Sequence, residues 1–316
     1  MAQIGLAVHG GAGTIPAQTL RPEVADALHE GLRAALAAGL LVLKAGGPAL
    51  DAVCAAVMVL EDDSQFNSAH GAVFTAAGRM EMDAALMEGH GRRAGAVAGI
   101  CGPRNPILAA RAVMEASGNV LLIGQAAEEF ARAEGLVFMD EAYFSTPSRR
   151  AALALELARR ASGAPDTRSD ADRHGTVGAV ARDQAGHLAA GTSTGGLTAK
   201  RPGRVGDTPV FGAGTFAEDA SCAVSATGTG EVFIRFTAAS EIAARVKYAG
   251  QSLEQAAFEV IAELASEGGD GGLIAIGAHG PAVMPFNCAG MYRGCIGADG
   301  SLLTAIHNEP FRVRKP

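Results

Sequence analysis

A chain of 316 residues with 48% apolar and 19% charged side chains is long enough to bury a large core. Its net charge of −7 and its dispersed basic residues argue against a nucleic-acid or anionic-membrane surface as its working face. The five cysteines (Cys54, Cys101, Cys222, Cys288, Cys295) contain no CxxC pair and sit in or near apolar sequence, which reads as reduced thiols of a cytoplasmic protein.

The N-terminal stretch MAQIGLAVHGGAG lacks the charged and apolar regions of a signal peptide. Within it, IGLAVHGG (4–11) reads as a buried strand closed by glycines. Val24, Leu28, Leu32, Leu36 and Leu40 recur at helical spacing from Pro22 to about Gly46, where AGG stops the helix. The run AALAAGLLVLKAGG is broken by Lys44 and glycines and is too short to span a bilayer. Pro48 opens a second helix, PALDAVCAAVMVLEDD, which is apolar almost all round and so belongs between layers. AVFT, RMEMDAALMEG and AGAVAGIC read as strands, and helices are expected at about 106–117, 124–134 and 148–162. The segment 163–175, GAPDTRSDADRHG, is polar without an apolar period and reads as a flexible exposed linker.

From Thr176 the pattern returns to strand. TVGAVAR and HLAAGTST flank DQAG, a hairpin signature, and CAVSATG is another buried strand. TGEVFIRFTAASEIAARVKYAG reads as one helix ending at Gly250, with a further helix near 252–266. GGLIAIGA, AVMPF and MYRGCIG read as closing strands. Strands clustered at the start, middle and end, with helices in pairs between them, imply antiparallel sheets covered by helices.

The hairpin sets the chemistry. A three-residue loop, Gln184 to Gly186, pairs Asp183 with His187 and, in the same register, Thr176 with Thr194. A two-residue loop would instead place Ser193 opposite Thr176. Opposed residues share a face with Cβ atoms about 5 Å apart, so either register sets a second hydroxyl beside the first. A threonine hydroxyl needs a base to become a nucleophile, and a free α-amino group on the same residue can serve. Cleavage between Gly175 and Thr176 would release that amine, whose reference pKa of about 7.7–8.0 leaves a useful neutral fraction at cellular pH. The β-branch of threonine keeps the hydroxyl aimed. Judged by residue type alone, Thr176 reads first as an ordinary edge-strand threonine, and spacing and neighbours have to decide otherwise.

Two further stretches bear on that choice. KRPGRVGD (200–207) holds Arg204 and Asp207 in a Pro/Gly-rich loop, suited to the carboxylate and ammonium of a free amino acid, or to an internal ion pair. SATGTGE (225–231) joins a strand to a helix, so that its backbone N–H groups and the Thr227 hydroxyl can converge on an oxyanion, or simply make a tight turn.

HGTVGAVARDQAGHLAAGTSTGGLTAKRPGRVGDTPVFGAG followed by SATGTGEVFIR resembles the plant-type L-asparaginase/isoaspartyl aminopeptidase family of N-terminal nucleophile (Ntn) hydrolases. HGGAG, FNSAHGAVFT, MDAALMEG, GAVAG, RNPILAAR and MPFNCAGMYR are similar to its landmarks in order, across nearly the whole chain. The resemblance implies an αββα sandwich of two antiparallel sheets flanked by helices, one Ntn-hydrolase domain over residues 1–316. It also implies autocleavage into an α subunit (1–175) and a β subunit (176–316), assembled as an (αβ)₂ dimer of heterodimers. On matching positions Thr176 is the nucleophile, Thr194 tunes it, Asn67 supports it, and Thr227 and Gly228 form the oxyanion hole. The substrate site comprises Arg204 for the α-carboxylate, Val205, Gly206, Asp207 for the α-ammonium, and Thr227, Gly228, Thr229 and Gly230. The implied substrates are L-asparagine and β-aspartyl dipeptides, with L-aspartate released. No cofactor takes part in the chemistry, but a structural sodium ion would be held by main-chain carbonyls of Leu60, Glu61, Asp63, Phe66, Ser68 and His70. The family's loop commonly reads Asn-Ala-Gly where this chain has Asn67-Ser68-Ala69, so a positive φ there would strain Ala69.

Rival readings are weaker. The one G-x-S-x-G match, GTSTG at 191–195, falls in the second strand of the hairpin and not at the strand-to-helix turn an elbow needs, and no G-x-x-x-x-G-K-[ST] accompanies the glycine run. The eight histidines show no metal-ligand spacing. A glycosylasparaginase typically has Asp-Thr-Ile-Gly at the nucleophile and a tryptophan in its sugar site; this chain has Gly175-Thr176-Val177-Gly178 and no tryptophan. A threonine endopeptidase would have no use for a site built around a free amino-acid head. A catalytically silent amino-acid-binding homologue would stay one intact chain.

Overall fold

The structure, a computed structural model, describes residues 2–13, 16–164 and 175–315. Most of the expected linker, 165–174, lies outside the described residues. The strands are β1 (Gly5–Ala12), β2 (Met82–Glu88), β3 (Ala94–Ile100), β4 (Leu121–Ile123), β5 (Val177–Arg182), β6 (Leu188–Thr194), β7 (Thr215–Ala217), β8 (Cys222–Gly228), β9 (Gly271–Gly277), β10 (Met291–Ile296), β11 (Leu302–Ala305) and β12 (Arg312–Arg314). The helices are α1 (Pro22–Lys44), α2 (Ala49–Asp62), α3 (Pro106–Ala116), α4 (Gly124–Ala133), α5 (Glu141–Phe144), α6 (Pro147–Ser162), α7 (Gly230–Phe236), α8 (Ala238–Ala249) and α9 (Leu253–Ser266).

Nine strands form one sheet in the order β12-β11-β10-β1-β5-β6-β2-β3-β4, and three form a second, β7-β8-β9. Helices α1, α2 and α3 cover one face of the large sheet, the small sheet covers the other, and α8 and α9 close the far side. This is the four-layer α-β-β-α arrangement expected. Every pairing but β3–β4, which is parallel, is antiparallel. Alternation along β5 separates the two cores. Val177, Ala179 and Ala181 face the helices, while Val180 faces the second sheet. Helix α2 lies close against β6 because Gly191 has no side chain there; a Cβ would come within 2.6 Å of Val53.

Three expectations are corrected. AVFT forms no strand, only a single bridge from Thr75 to Lys200. The helix expected to run unbroken to Gly250 splits at Thr237, which adopts φ +45°. The reason is tertiary: Ala239 and Ser240 donate their N–H groups to the carbonyls of Ala213 and Gly212, so a new helix starts there. AVMPF makes isolated bridges only, because Pro281 and Pro285 cannot donate to a ladder.

Candidate active site

Gly186, at φ +90°, closes the hairpin, with Asp183 N–H bonded to the His187 carbonyl at 3.0 Å. The ladder runs from Arg182–Leu188 to Val177–Ser193, which is the three-residue-loop register. Thr176 therefore precedes β5 directly opposite Thr194 and shares the face that looks toward the second sheet. The two hydroxyls are hydrogen-bonded at 3.0 Å, and both residues are buried.

The partners of Thr194 settle where its one proton goes. Its Oγ1 accepts from the Thr176 hydroxyl and from Gly196 N–H at 2.9 Å, and donates to the Gly175 carbonyl at 2.9 Å. Asn67 Nδ2 donates to that same Gly175 carbonyl at 2.9 Å and to the Gly196 carbonyl at 2.7 Å. Its Oδ1 accepts from Val73 N–H, which fixes the amide orientation. The carbonyl preceding Thr176 is thus held by two donors while the adjacent hydroxyl hands its proton to one of them. Glycine is required on both sides of this bond. A Cβ on Gly175 would reach 2.8 Å from Asn67 Cβ. One on Gly11, which sits at φ +117°, would reach 3.1 Å from Gly175 Cα and 3.4 Å from Thr176 N.

Behind Thr176, the His9 ring donates from Nδ1 to the Thr176 carbonyl and accepts at Nε2 from Ser225, both at 2.9 Å. Burial drives the His9 pKa down to about 3, so the ring is neutral and its partners decide the tautomer. Hydroxyls of Thr192 and Thr215 continue the chain from Ser225 at 2.7 and 2.6 Å. Gly178 leaves room for this network, since a Cβ there would collide with Ser225 and His9. Thr227 is fully buried and accepts from Ala12 N–H at 3.1 Å, which leaves its own proton to donate. Ala12 follows Gly11, so Thr227 is tied to the strand end that touches Thr176.

The opposed charges converge on Gly230, whose missing Cβ would lie 2.7 Å from Asp207 Oδ1 and 3.0 Å from Arg204 Nη2. Arg204 also approaches Gly196 and Gly206, at 3.4 and 2.9 Å from the corresponding Cβ positions, and Gly196 is the residue bonded to Thr194. Asp207 is buried, its Oδ2 has no partner among the described residues, and burial raises its pKa to about 7. The internal Arg204–Asp207 pair left open by the sequence does not form. Arg204 instead grips Glu231 in a two-point fork, 2.9 Å at each contact, from its Nε/Nη2 edge. A cavity of about 660 Å³ opens over Arg204, Thr229, Glu231, Lys200 and Asp270. Thr229 hydrogen-bonds Asp270, and Val205 stands at the surface. Thr176 does not line that cavity; its link to it runs through Thr194 and Gly196 to Arg204.

The residues of the expected sodium site lie at the end of α2 and in the turn after it. Leu60 and Glu61 close the helix, while the Asp63, Phe66 and Ser68 carbonyls already accept from Phe66, Ser68 and Gly71 N–H groups. His70 reaches the Asp62 carbonyl through its ring. Ala69 does take a left-handed φ of +41°, so the strain foreseen from the sequence is present. The Glu61 carboxyl is buried, receives Ile107 N–H, and is pushed up to about 8 by burial, so it is neutral.

Reading the sequence missed His9, Gly11 and Glu231 as parts of this site. His9 and Gly11 stood within the quoted HGGAG, and Glu231 ended the quoted SATGTGE. The only signal available was that polar or glycine residues closed predicted buried strands.

A threonine hydroxyl aimed by a second hydroxyl, with an arginine that lines a cavity and a buried aspartate meeting it at Gly230, on an α-β-β-α sandwich, defines a hydrolase of the N-terminal nucleophile class. A protein-family model described as asparaginase matches residues 2–306. The chain is 47% identical to the isoaspartyl peptidase of Salmonella typhimurium, covering 96% of this chain and 98% of that one. It is also 47% identical to the isoaspartyl peptidase of Escherichia coli, with 98% of each covered. Identity to the plant-type L-asparaginase of Pyrococcus abyssi is 43%, over 84% of this chain and 86% of the other. The chain belongs to the asparaginase family.

Proposed function

We propose that the chain cuts itself between Gly175 and Thr176 and then hydrolyses L-asparagine and β-aspartyl dipeptides, releasing L-aspartate. The observation that carries this reading is the 3.0 Å bond from Thr176 to Thr194, with the Thr194 proton on the Gly175 carbonyl. Before cleavage the nitrogen of Thr176 is an amide and cannot be the base. Thr194 fills that role as a relay: Thr176 Oγ1 adds to the Gly175 carbonyl carbon, its proton passes to Thr194, and the Thr194 proton passes to the carbonyl oxygen that Asn67 also holds. Collapse of this adduct re-forms the carbonyl as its hydroxyl proton passes to the Thr176 nitrogen, the C–N bond breaks, and the nitrogen departs as the α-amine; the ester left behind is hydrolysed by water, freeing residues 1–175 from 176–316.

The released amine then deprotonates its own hydroxyl. Thr176 attacks the side-chain carbonyl of the substrate, Thr227 and Gly228 hold the oxyanion, and ammonia or an amino acid departs. Water hydrolyses the β-aspartyl ester. Arg204 takes the α-carboxylate by displacing Glu231, whose side chain is 56% exposed and so yields readily. Asp207, with Gly230 beside it, takes the α-ammonium. The names of the bacterial relatives support the substrate class. Mass spectrometry of the purified protein tests the first half, and assays on asparagine and β-aspartyl dipeptides test the second. A chain that stays whole through long incubation and turns over neither substrate overturns the reading.

The Asp207 environment sets a pH limit. Burial raises this carboxyl to about 7, while Arg204 pulls it down and Glu231 and Asp83 push it up. Only the ionised form binds an ammonium, so affinity is present above about 7 and falls roughly tenfold per pH unit below it. Competitive inhibition by L-aspartate should show that limb, and Asp207→Asn should abolish it while weakening binding at every pH. A limb that survives in Asp207→Asn assigns it to another group.

The same reading includes a sodium ion on the carbonyls of Leu60, Glu61, Asp63, Phe66, Ser68 and His70. Gly71 favours it: the space a Cβ would fill there lies against the Phe66 carbonyl oxygen and 2.7 Å from that of Ser64. A hard cation would gather those carbonyl dipoles and steady the neighbouring Asn67. Exchanging sodium for choline at constant ionic strength should lower the melting temperature by a few degrees; an unchanged value removes the ion from the account. Two αβ pairs are expected to associate, supported by the apolar edge at Val120, Leu121 and Ile123, each about half exposed or more. Light scattering of the matured protein reads that mass. Among the described residues no helix is long and apolar enough to cross a membrane, and the five free cysteines favour a reducing, cytoplasmic setting.

A further inference from the structure

Far along the sequence from one another, His90, His187 and Asp219 meet where three strand ends come together. His90 lies in the turn between β2 and β3, His187 leads into β6, and Asp219 lies in the turn between β7 and β8. One ligand atom from each lies within 4.8 Å of the others. Asp219 Oδ2 is 2.8 Å from His187 Nδ1 and 3.7 Å from His90 Nδ1. The imidazole rings sit 4.2 Å apart, tilted by 47°. Ligand atoms around a tetrahedral zinc, each about 2.0–2.1 Å from the metal, are about 3.4 Å from one another, and these spacings bracket that value.

The scaffold behind the three groups is built from backbone. Leu188 N–H holds Asp219 Oδ1 at 2.8 Å, which leaves Oδ2 turned toward both rings. Gly89 N–H bonds the Leu188 carbonyl, and Asp219 N–H bonds the Gly89 carbonyl at 3.3 Å, closing a loop through all three turns. Gly89 has to be glycine, because a Cβ would collide with the Asp219 carboxylate. Such an outer hydrogen bond orients a ligating carboxylate in the way metal sites require. The rim is open: the His90 side chain is 74% exposed, which leaves access for an ion and for water to complete its shell.

We propose that His90, His187 and Asp219 bind a divalent first-row transition ion of the zinc type, with water in the remaining position. Two imidazoles and one carboxylate suit zinc, cobalt or nickel over magnesium or calcium, which prefer all-oxygen shells. The ion replaces the proton now shared between His187 and Asp219. It ties the large sheet to the small one. It also joins residue 90 to residues 187 and 219, on opposite sides of the Gly175–Thr176 bond. The site is separate from Thr176 and from the sodium turn, and it stands whether or not the chain cleaves itself.

The test is titration of the full-length, chelator-treated protein with zinc chloride by calorimetry, and with cobalt(II) by visible absorption. One ion per chain and nitrogen-ligated cobalt bands are expected, with a higher melting temperature in zinc. His90→Ala changes an exposed side chain, so folding is retained, and binding should weaken by at least about tenfold. His187→Ala should do the same and shift the cobalt bands. Equal affinity and stoichiometry in the native protein and His90→Ala, or no ion bound by the native protein, overturns the proposal.

Discussion

Replacing Thr176 by alanine should leave the chain whole and reduce hydrolysis of asparagine and β-aspartyl dipeptides by at least ~10⁴-fold. The alanine has no oxygen to add to the Gly175 carbonyl, so neither the self-cleavage ester nor the substrate ester can form. The fold should survive. Among the described residues the lost hydroxyl has one side-chain partner, Thr194, which keeps its bonds to Gly196 N–H and the Gly175 carbonyl. Thr176→Ser keeps the oxygen but frees χ1, so cleavage should be slower yet detectable. A denaturing gel with intact-mass measurement separates these cases. If Thr176→Ala still yields a fragment beginning at residue 176, the nucleophile lies elsewhere and the mechanism is wrong.

Thr194→Val should slow maturation by a factor on the order of 10²–10⁴ while preserving side-chain shape. Three groups lose their partner at once: the Thr176 hydroxyl, the Gly196 N–H and one side of the Gly175 carbonyl. Leaving buried groups unsatisfied costs about 1–3 kcal/mol each, so the melting temperature should also drop. The diagnostic readout is the split between the two rates. Before cleavage Thr194 is the sole relay for the Thr176 proton, whereas afterwards the α-amine shares the task. Cleavage should therefore suffer more than turnover in whatever fraction matures, and Thr194→Ser should restore both. Maturation of Thr194→Val at the native rate would remove the relay.

Much of this was legible in the chain. Helical spacing and the proline and glycine boundaries located α1, α2, α3, α6 and α9 to within a few residues, because local backbone preferences and one buried face decide such elements. Counting along the hairpin left two registers, Thr194 or Ser193 opposite Thr176, and the one that forms is the three-residue turn, with Gly186 at positive φ. Tertiary structure decided what depends on partners distant in sequence. The break at Thr237 comes from carbonyls some two dozen positions earlier. Arg204 chose Glu231 over Asp207 because their loop and helix meet, a fact that neither segment encodes alone. His9 became a neutral buried link to Thr176, and His90, His187 and Asp219 became neighbours, only when separate strands were laid side by side. Periodicity records which face of an element is buried; it carries no record of which other element will cover it.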